Sequence, residues 1–316
     1  MTNWNALYRR LREMAPSLEL LRDEPMSRHT TFRVGGPVPV MALPKGTDEA
    51  RAALTAAEEM GISPFFLGNG SNLLVDDRGA GCFVIKLTDE FGQIREADGG
   101  LETGSGVLLS RLSNFALEHG LTGLEFAQGI PGSVGGGVCM NAGAYGGEMS
   151  QVVLSVTALD PDGGLRELTA RECGFGYRKS VFSENRMLML SARFRLEPGD
   201  PARIKAKMDD FAARRREKQP LEYPSAGSAF KRPPAVDGQP VYAAALIDQC
   251  GLKGLTVGGA QVSEKHAGFI INKGGATCGD IAELMAQVRE RVFRETGVKL
   301  EPEVRRLGTE GEGWNF

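Results

Sequence analysis

Residues 129–137 read "GIPGSVGGG", with five glycines in nine positions. Glycine loses more conformational freedom on folding than any other residue, so this cluster costs too much entropy for a simple turn. Consecutive backbone N–H groups in tight, partly left-handed turns form anion-binding hollows, and glycine lets the chain approach a ligand closely. The stretch therefore predicts a phosphate-binding loop.

A second glycine cluster, "LGNGSNLLV" (67–75), follows the predicted strand "PFFLG" (64–68). Two such loops suit a ligand with a pyrophosphate, such as a dinucleotide. The common fingerprints are missing, because there is no Gly-Lys dipeptide for a P-loop and "GSGVLL" (104–109) lacks the third glycine of G-x-G-x-x-G. The loops therefore predict a dinucleotide site that is not of the classical Rossmann type.

Composition limits the class of protein. The chain has 316 residues, net charge -3 and no long apolar run, which indicates about two domains, no nucleic-acid partner and no membrane span. Five scattered cysteines without C-x-x-C predict free thiols, and three histidines without ligand spacing predict no metal site. With no apolar core of a signal peptide at the N-terminus, we expect a cytoplasmic protein. The basic run 214–218 is interpreted as a solvated helix end.

Periodicity predicts an α+β chain divided near residue 200, into regions 1–200 (subdomains about 1–60 and 61–200) and 201–316. Helices are predicted from Thr47 as N-cap to Gly61, over 107–119 and 200–218, and over 280–296 with an Asp280–Glu283 capping box. Alternating patterns predict strands at 82–87 and 186–196 and a hairpin over 152–170. The predicted buried stripe of the last helix comprises Ile281, Leu284, Met285, Val288, Val292 and Phe293.

Eight stretches in order, from about residue 28 to 308, resemble the FAD-dependent UDP-N-acetylenolpyruvoylglucosamine reductases. They are "HTTFRVGGP" (29–37), "LGNGSNLLV" (67–75), "GLEFAQGIPGSVGGGVCMNAGAYGGE" (123–148), "FGYRKSVF" (175–182), "PLEYPSAGSAFKRP" (220–233), "LIDQCGLKG" (246–254), "KHAGFIIN" (265–272) and "LEPEVRRLG" (300–308). The resemblance implies an FAD-binding domain of the vanillyl-alcohol-oxidase type, then a smaller α+β substrate-binding domain, with the last residues returning to the active site. The chain looks like the shorter subtype, without a tyrosine-bearing insertion.

The resemblance also implies an activity. Members of the family reduce the enolpyruvyl ether of UDP-N-acetylglucosamine-enolpyruvate to UDP-N-acetylmuramate in peptidoglycan precursor synthesis, which serves the cell wall, cell shape and cell division. The implied cofactor is FAD, with NADPH as co-substrate. We expect a cytoplasmic monomer with a small-molecule substrate and neither nucleic acid nor membrane as partner.

The family's cofactor-binding residues carry over onto the two glycine loops and one earlier arginine. Asn69 departs from the glycine of many relatives, but asparagine tolerates left-handed backbone and keeps its N–H. The implied cofactor-binding residues are Arg33, Gly68, Asn69, Gly70, Ser71, Asn72, Leu73, Gly129, Ile130, Pro131, Gly132, Ser133, Gly135, Gly136, Asn141 and Ala142.

Three residues match the family's catalytic set. Arg178 would grip the substrate carboxylate with its planar fork, Ser228 would protonate C2, and Glu303 would help to stabilise the intermediate. Taken alone, Arg178 is equally interpreted as a surface arginine and Ser228 as a loop serine. Glu303 is one of two nearby acids, and the other is Glu301. The implied substrate contacts are Tyr177, Lys218, Lys231, His266 and Asn272.

Two other functions are compatible with part of the sequence. Another FAD-dependent oxidoreductase of the same fold, such as an alcohol or hydroxy-acid oxidase, would suit the loops, and His29 is a candidate for covalent attachment of the flavin. A nucleotide-sugar binding protein without catalysis would have no use for the three catalytic residues. A serine hydrolase is excluded, since no G-x-S-x-G occurs and no histidine lies within 35 residues of Ser228.

Overall fold

The computed structural model describes residues 2–89, 91–183, 185–235 and 238–309, and the backbone of Gly313 and Trp314. Its α-helices are α1 (Trp4–Met14), α2 (Thr47–Glu59), α3 (Leu109–Glu118), α4 (Val134–Cys139), α5 (Pro201–Lys218), α6 (Ala243–Gln249) and α7 (Cys278–Thr296). Short 3₁₀ turns lie at Met26–Arg28, Glu125–Ala127, Met149–Gln151 and Val181–Ser183.

The strands lie between these helices along the chain, often several in succession. The first ten are β1 (Glu19–Pro25), β2 (Pro37–Leu43), β3 (Phe65–Leu67), β4 (Leu73–Val75), β5 (Phe83–Lys86), β6 (Ile94–Ala97), β7 (Gly100–Gly104), β8 (Leu121–Thr122), β9 (Gly143–Ala144) and β10 (Gly147–Glu148). The others are β11 (Val153–Leu159), β12 (Leu165–Thr169), β13 (Leu188–Arg195), β14 (Glu197–Pro198), β15 (Ser225–Ser228), β16 (Thr256–Val257), β17 (Ala260–Val262), β18 (Phe269–Asn272), β19 (Arg305–Leu307) and β20 (Gly313–Trp314).

The chain forms two compact units, and both are discontinuous in sequence. Unit 1 comprises 1–22, 40–69 and 82–214, and unit 2 comprises 23–39, 70–81 and 215–316. The sequence predicted contiguous regions that divide near residue 200. The difference arises because 23–39 and 70–81 pair and pack with the C-terminal third of the chain, which local sequence patterns do not reveal.

Unit 1 contains two sheets, each with its own core. The sheet of order β1-β2-β5-β3 pairs β2, β5 and β3 in parallel. The apolar faces of α1 and α2, with Leu7, Leu11 and Leu54, share a core with Phe83 of β5. The second sheet, of order β12-β11-β13-β7-β6, is antiparallel throughout. Residues of α3 and α4 lie in its core, so the glycine-rich stretch that leads into α4 rests on a packed support.

Unit 2 is built on the antiparallel sheet of order β15-β18-β17-β16. The helices α6 and α7 share one core with this sheet, and Phe32 and Leu74 from the two early segments are buried in the same core. A smaller sheet has the order β20-β19-β4, in which β19 is parallel to β4. The early segments are therefore structural parts of the C-terminal domain.

Most predicted elements are confirmed, including the hairpin of β11 and β12, strand β13 and helix α5. Two predicted helix starts are wrong. Gly46, not Thr47, is the N-cap of α2, and α7 begins two residues early with a capping box between Thr277 and Asp280. Phe293 is also wrongly placed in the buried stripe of α7, since it is 47% exposed. Each residue of an α-helix is rotated by about 100° from the one before it, so Phe293 lies off the face on which Val292 is buried.

The cysteines are free, as predicted, and four of them are buried. Burial raises the pKa of the Cys82 thiol to about 12. Among the described residues, no group of three or more His, Cys, Asp or Glu side chains is arranged to hold a metal ion. In the same part of the chain, no helix combines the length and the apolar character needed to cross a membrane.

Candidate active site

The glycine loop 129–137 is held by the short helix α4 in unit 1. Ser133 is the N-cap of α4, and its Oγ accepts from the Gly136 N–H at 3.3 Å. A side chain at Gly68 would collide with this hydroxyl, so the two predicted cofactor loops approach each other closely at this point. Gly136 is exposed, and a methyl group on its Cα would meet only Ser133 Oγ, at 3.5 Å, which leaves its outer face open to a ligand.

The glycine loop 67–75 belongs to unit 2 from Gly70 onward, and that part is fixed within unit 2. Gly70 has φ +61°, and a side chain there would collide with the backbone carbonyl of His29. The Gly70 carbonyl in turn accepts from the Thr31 N–H at 3.1 Å. Both the positive φ and the close approach require glycine, so this position is set by backbone packing.

Three asparagines predicted to bind the cofactor use their side chains on the protein itself. Asn69 Nδ2 donates to the Pro131 carbonyl at 2.7 Å, which joins the two glycine loops within unit 1. Asn72 Nδ2 donates to the Glu303 carbonyl at 3.0 Å in unit 2. Asn141, 3% exposed and at φ +42°, donates to the Gly176 carbonyl at 3.2 Å and accepts from the Ser150 N–H at 2.9 Å.

Two polar atoms near the loops are buried without a hydrogen-bond partner among the described residues, Gln128 Oε1 in unit 1 and Thr31 Oγ1 in unit 2. Buried polar atoms are normally satisfied, and an unsatisfied one needs an explanation, such as a bound water, ion or ligand. Within unit 1, Gln128 Oε1 and the open face at Gly136 fit a bound dinucleotide. The sequence reasoning missed both residues as candidates; their signal was only their position within the stretches 29–37 and 123–148.

The other predicted cofactor residues differ in how they are presented. Arg33 is exposed at φ +57°, whereas Leu73 and Gly132 are buried. The Ala142 N–H and carbonyl are both used in backbone hydrogen bonds, to Gly137 and from Met149. Ser71 and Ile130 are half-buried, and Gly135 is half-buried against Ser105, while Gly129 and Pro131 are exposed.

Arg178 lies in a tight turn of unit 1 and has φ +58°. Gly176 and Lys179 exchange backbone hydrogen bonds of 3.0 and 3.3 Å across this turn. Since only the second of its two central residues has positive φ, the turn is of type II, where glycine is normally needed at that position. A non-glycine residue in this region costs on the order of 1–3 kcal/mol, and such strain clusters at functional sites.

Side chains in and next to this turn make two contacts. The Arg178 guanidinium lies over the Tyr177 ring, 5.1 Å from its centroid, and Tyr177 is 53% exposed. Ser180, 1% exposed, donates its hydroxyl to the Cys139 carbonyl at 2.8 Å. Together with the Asn141 hydrogen bond to Gly176, this contact fastens both ends of the turn to the segment that follows the glycine-rich loop.

Ser228 and Glu303 are neighbours across two paired segments of unit 2. Phe230 and Pro302 form an antiparallel bridge. The Glu303 N–H donates to the Ala229 carbonyl at 2.9 Å, and the Lys231 N–H donates to the Glu301 carbonyl at 2.8 Å. Glu303 therefore lies opposite Ala229, the residue next to Ser228, whereas Glu301 lies opposite Lys231, three residues from Ser228.

This register separates two acids that sequence spacing alone did not distinguish. The Glu301 side chain is 74% exposed, and its Oε2 lies 3.3 Å from Lys231 Nζ. Glu303 is half-buried, and Ser228 is exposed at the end of β15. The geometry favours Glu303 as the acid beside Ser228 and gives Glu301 the role of an ion-pair partner for Lys231.

His266 lies close to this pair of segments, because the Ala229 N–H donates to the carbonyl of Gly268. The Gly268 N–H donates to His266 Nδ1 at 3.1 Å, which places the proton of a neutral ring on Nε2. Burial lowers the pKa of His266, and the charge of Lys253 acts in the same direction. His266 is therefore a neutral donor beside the Ser228 segment.

The remaining predicted substrate contacts differ in their exposure and in their hydrogen bonds. Lys218 is exposed as the last residue of α5. Asn272 is 8% exposed, and its amide is fully used: Nδ2 donates to the Phe32 carbonyl, and Oδ1 accepts from the N–H groups of Gly274 and Ala276. These bonds give Asn272 a structural role, which fixes the loop before α7.

His29, the candidate for covalent flavin attachment, has its Nε2 3.0 Å from Glu24 Oε1. Both side chains are nearly buried, at 11% and 12% exposure. The ring nitrogen is engaged by a carboxylate of its own unit, and this pairing accounts for the histidine without a covalent bond to flavin.

Comparison with known proteins defines first the class. Residues 38–169 match the family model described as an FAD binding domain. This stretch contains the whole of both glycine-rich loops, 67–75 and 129–137, and also Asn141. The protein is thus an FAD-dependent oxidoreductase, and FAD is the dinucleotide that the loops fit.

The particular family follows from the rest of the chain. Residues 219–307 match the model of the C-terminal domain of UDP-N-acetylenolpyruvoylglucosamine reductase. Reductases of this name from Syntrophomonas wolfei and Agathobacter rectalis are 43% and 46% identical, over 96% and 94% of this chain and 100% and 96% of theirs. The crystal structure of the Thermus caldophilus reductase has 36% identity and a TM-score of 0.76, and the match covers 92% of this chain and 98% of that one.

The chain belongs to the family of UDP-N-acetylenolpyruvoylglucosamine reductases. The resemblance drawn from eight sequence stretches is confirmed, as is the predicted fold class of an FAD-binding domain followed by a substrate domain.

Proposed function

We propose that this protein reduces the enolpyruvyl ether of UDP-N-acetylglucosamine-enolpyruvate to UDP-N-acetylmuramate with NADPH, in peptidoglycan precursor synthesis. FAD, held by the two glycine-rich loops, would supply the hydride transfer from NADPH to C3 of the enolpyruvyl group. Negative charge then develops at C2 and on the neighbouring carboxylate. The protein must stabilise this charge and supply one proton to C2.

Ser228 is the proposed proton donor. A serine is a weak acid, but a carbanion is a strong base, so a well-placed hydroxyl is sufficient for proton transfer. Its exposure at the end of β15, followed directly by buried Ala229, supports this role because the hydroxyl is presented at the surface of a rigid strand.

Glu303 is the proposed stabiliser of the C2 intermediate. The single observation that supports the mechanism is the hydrogen bond from the Glu303 N–H to the Ala229 carbonyl, which sets the Glu303 backbone opposite the residue after Ser228. Two groups that act on one carbon must be neighbours, and this register supports that requirement where sequence spacing leaves Glu301 as an equal candidate.

Arg178 is the proposed ligand of the substrate carboxylate. A guanidinium is always charged and grips a carboxylate with two parallel hydrogen bonds, which strengthen as charge develops. The backbone strain at φ +58° supports a functional assignment, because a glycine at this turn position would avoid it. Tyr177, Lys218, Lys231 and His266 are proposed to bind the rest of the substrate.

The test uses the purified yellow holoenzyme under anaerobic conditions. NADPH should bleach the flavin, and UDP-N-acetylglucosamine-enolpyruvate should restore its absorbance, with a product heavier by two hydrogens in the mass spectrum. UDP-N-acetylglucosamine, which lacks the enolpyruvyl group, is the matched control and should leave the flavin reduced. A reduced flavin that responds to oxygen but not to the enolpyruvyl substrate would instead identify an oxidase.

A further inference from the structure

We infer that Asn72 and Asn141 are positioning residues, each of which fastens a catalytic segment through its side-chain amide. Asn72 does so from the glycine loop 67–75, and Asn141 from the segment that follows the glycine loop 129–137. The inference rests on the proposed function, because it assigns to the asparagines the placement of Glu303 and Arg178. It also changes the role predicted from sequence, in which both side chains would bind the cofactor.

Asn141 holds the turn that carries Arg178. Its Nδ2 donates to the carbonyl of Gly176, the residue two before Arg178, and its Oδ1 accepts from the Ser150 N–H. With the side chain 3% exposed, these bonds lie in a medium of low dielectric, where losing a partner is costly. The amide is therefore held at both its nitrogen and its oxygen, and the nitrogen donates to the strained turn.

The strain makes this support necessary. A residue in the left-handed region persists only where its surroundings over-determine it. The Gly176 carbonyl accepts both from Asn141 and from the Lys179 N–H, and Ser180 anchors the other side of the turn to Cys139. Without the Asn141 donor, the turn is free to relax and the guanidinium moves with it.

Asn72 performs the same task in unit 2. Its Nδ2 donates to the carbonyl of Glu303, while its own carbonyl accepts from the Arg305 N–H at 3.0 Å. These two bonds hold the backbone from the Glu303 carbonyl to the Arg305 N–H and continue into the parallel pairing of β19 with β4. The loop that contains Asn72 therefore sets the position of Glu303 relative to Ala229 and Ser228.

The experiment compares both half-reactions of the holoenzymes Asn72→Asp and Asn141→Asp by stopped-flow absorbance. Aspartate keeps the size, the acceptor oxygen and the tolerance for left-handed backbone, but replaces the Nδ2 donor with an oxygen. We expect reoxidation by the enolpyruvyl substrate to slow about 10- to 100-fold, since small misplacements of catalytic groups have effects of that size. Flavin content and the rate constant for reduction by NADPH should change by less than about threefold.

Gln261→Glu is the matched control. It removes the same kind of bond, from a side-chain amide to the Gly254 carbonyl at 3.3 Å, between two residues that have no assigned role in the site. The ratio of the two half-reaction rate constants should stay at the wild-type value. If Asn141→Asp does not fold, Ser180→Ala removes the other anchor of the Arg178 turn and should slow the same half-reaction selectively.

The outcomes are distinct. If Asn72→Asp and Asn141→Asp lose flavin, or slow both half-reactions equally, the side chains serve the cofactor and the inference is overturned. Wild-type rates in these variants overturn it too. If the wild-type holoenzyme itself is not reoxidised by the enolpyruvyl substrate, the proposed function fails first and the inference falls with it.

Discussion

Glu303 lies directly across two paired segments from Ala229, since its backbone N–H donates to the Ala229 carbonyl at 2.9 Å. This register places Glu303 one position from Ser228 along the paired segments, and it places Glu301 opposite Lys231, three residues after Ser228. The chemistry proposed for unit 2 depends on this relationship, and the first two predictions test its two members separately.

Ser228→Ala should leave the bleaching of flavin by NADPH intact and slow reoxidation by the enolpyruvyl substrate about 10²- to 10⁴-fold, the usual effect of removing a proton donor. Stopped-flow absorbance measures both steps. Ser225→Ala, in the same strand, is the control and should reoxidise at the wild-type rate. Unchanged reoxidation in Ser228→Ala would remove the serine from the mechanism.

Glu303→Gln should reduce kcat at least about tenfold, because it alters a group next to the reacting carbon. Glu301→Gln should change kcat little, since that side chain is 74% exposed and pairs only with Lys231 among the described residues. Steady-state kinetics of the two variants decide between the acids. A larger effect at Glu301 would show that the backbone register does not predict the catalytic acid.

Arg178→Gly should be at least as stable as the wild type, while its reoxidation slows about 10²- to 10³-fold. Glycine relieves the strain at φ +58°, which is worth roughly 1–2 kcal/mol. Arg178→Lys is the control, because it keeps the strain and the charge but loses the planar fork. Chemical unfolding compares the variants, and an Arg178→Gly protein less stable than Arg178→Lys would contradict the strain argument.

Gly70→Ala should destabilise the protein by more than Gly61→Ala. Both glycines have nearly the same positive φ, +61° and +64°, so the cost of left-handed backbone is common to both, about 1–2 kcal/mol. Only at Gly70 does a side chain also collide with the His29 carbonyl, while nothing lies near Gly61. If both variants had the same free energy of unfolding, a side chain at position 70 would not collide with the His29 carbonyl.

His266 should make the protein less stable in acid. Burial lowers its pKa from the ordinary 6.5, so below that value the unfolded chain binds a proton that the folded protein resists. Its stabilising contribution is full above pH 6.5 and is lost as pH falls towards the folded pKa. His266→Gln should lose less stability than the wild type between about pH 8 and about pH 5.5 in urea unfolding. An identical loss in both proteins would contradict the burial argument.

The glycine loops were predictable because their signal is local. A run such as 129–137 is costly unless the backbone needs it, and that reasoning uses only neighbouring residues. Helix ends shifted by one or two residues, at Gly46 and Thr277, because several residues nearby are acceptable caps. Phe293 was misplaced because an apolar residue beside a buried stripe was counted as part of it.

The roles of the asparagines were not predictable from one sequence. Asn72 and its acceptor Glu303 are 231 residues apart, and Asn141 is 35 residues from Gly176. An amide side chain suits a phosphate ligand and a backbone carbonyl equally well. Only the folded arrangement decides which of the two it meets, and the same holds for the unsatisfied Gln128 Oε1.

The parallel pairing of β4 with β19 has a consequence for the order of folding. At about 5–20 residues per second, β4 leaves the ribosome roughly 10 to 50 seconds before β19 is made. During that interval Leu74, fully buried in the finished protein, has no partner strand to cover it. Unit 2 therefore cannot complete its core until β19 is made, and Leu74 stays exposed to solvent until then.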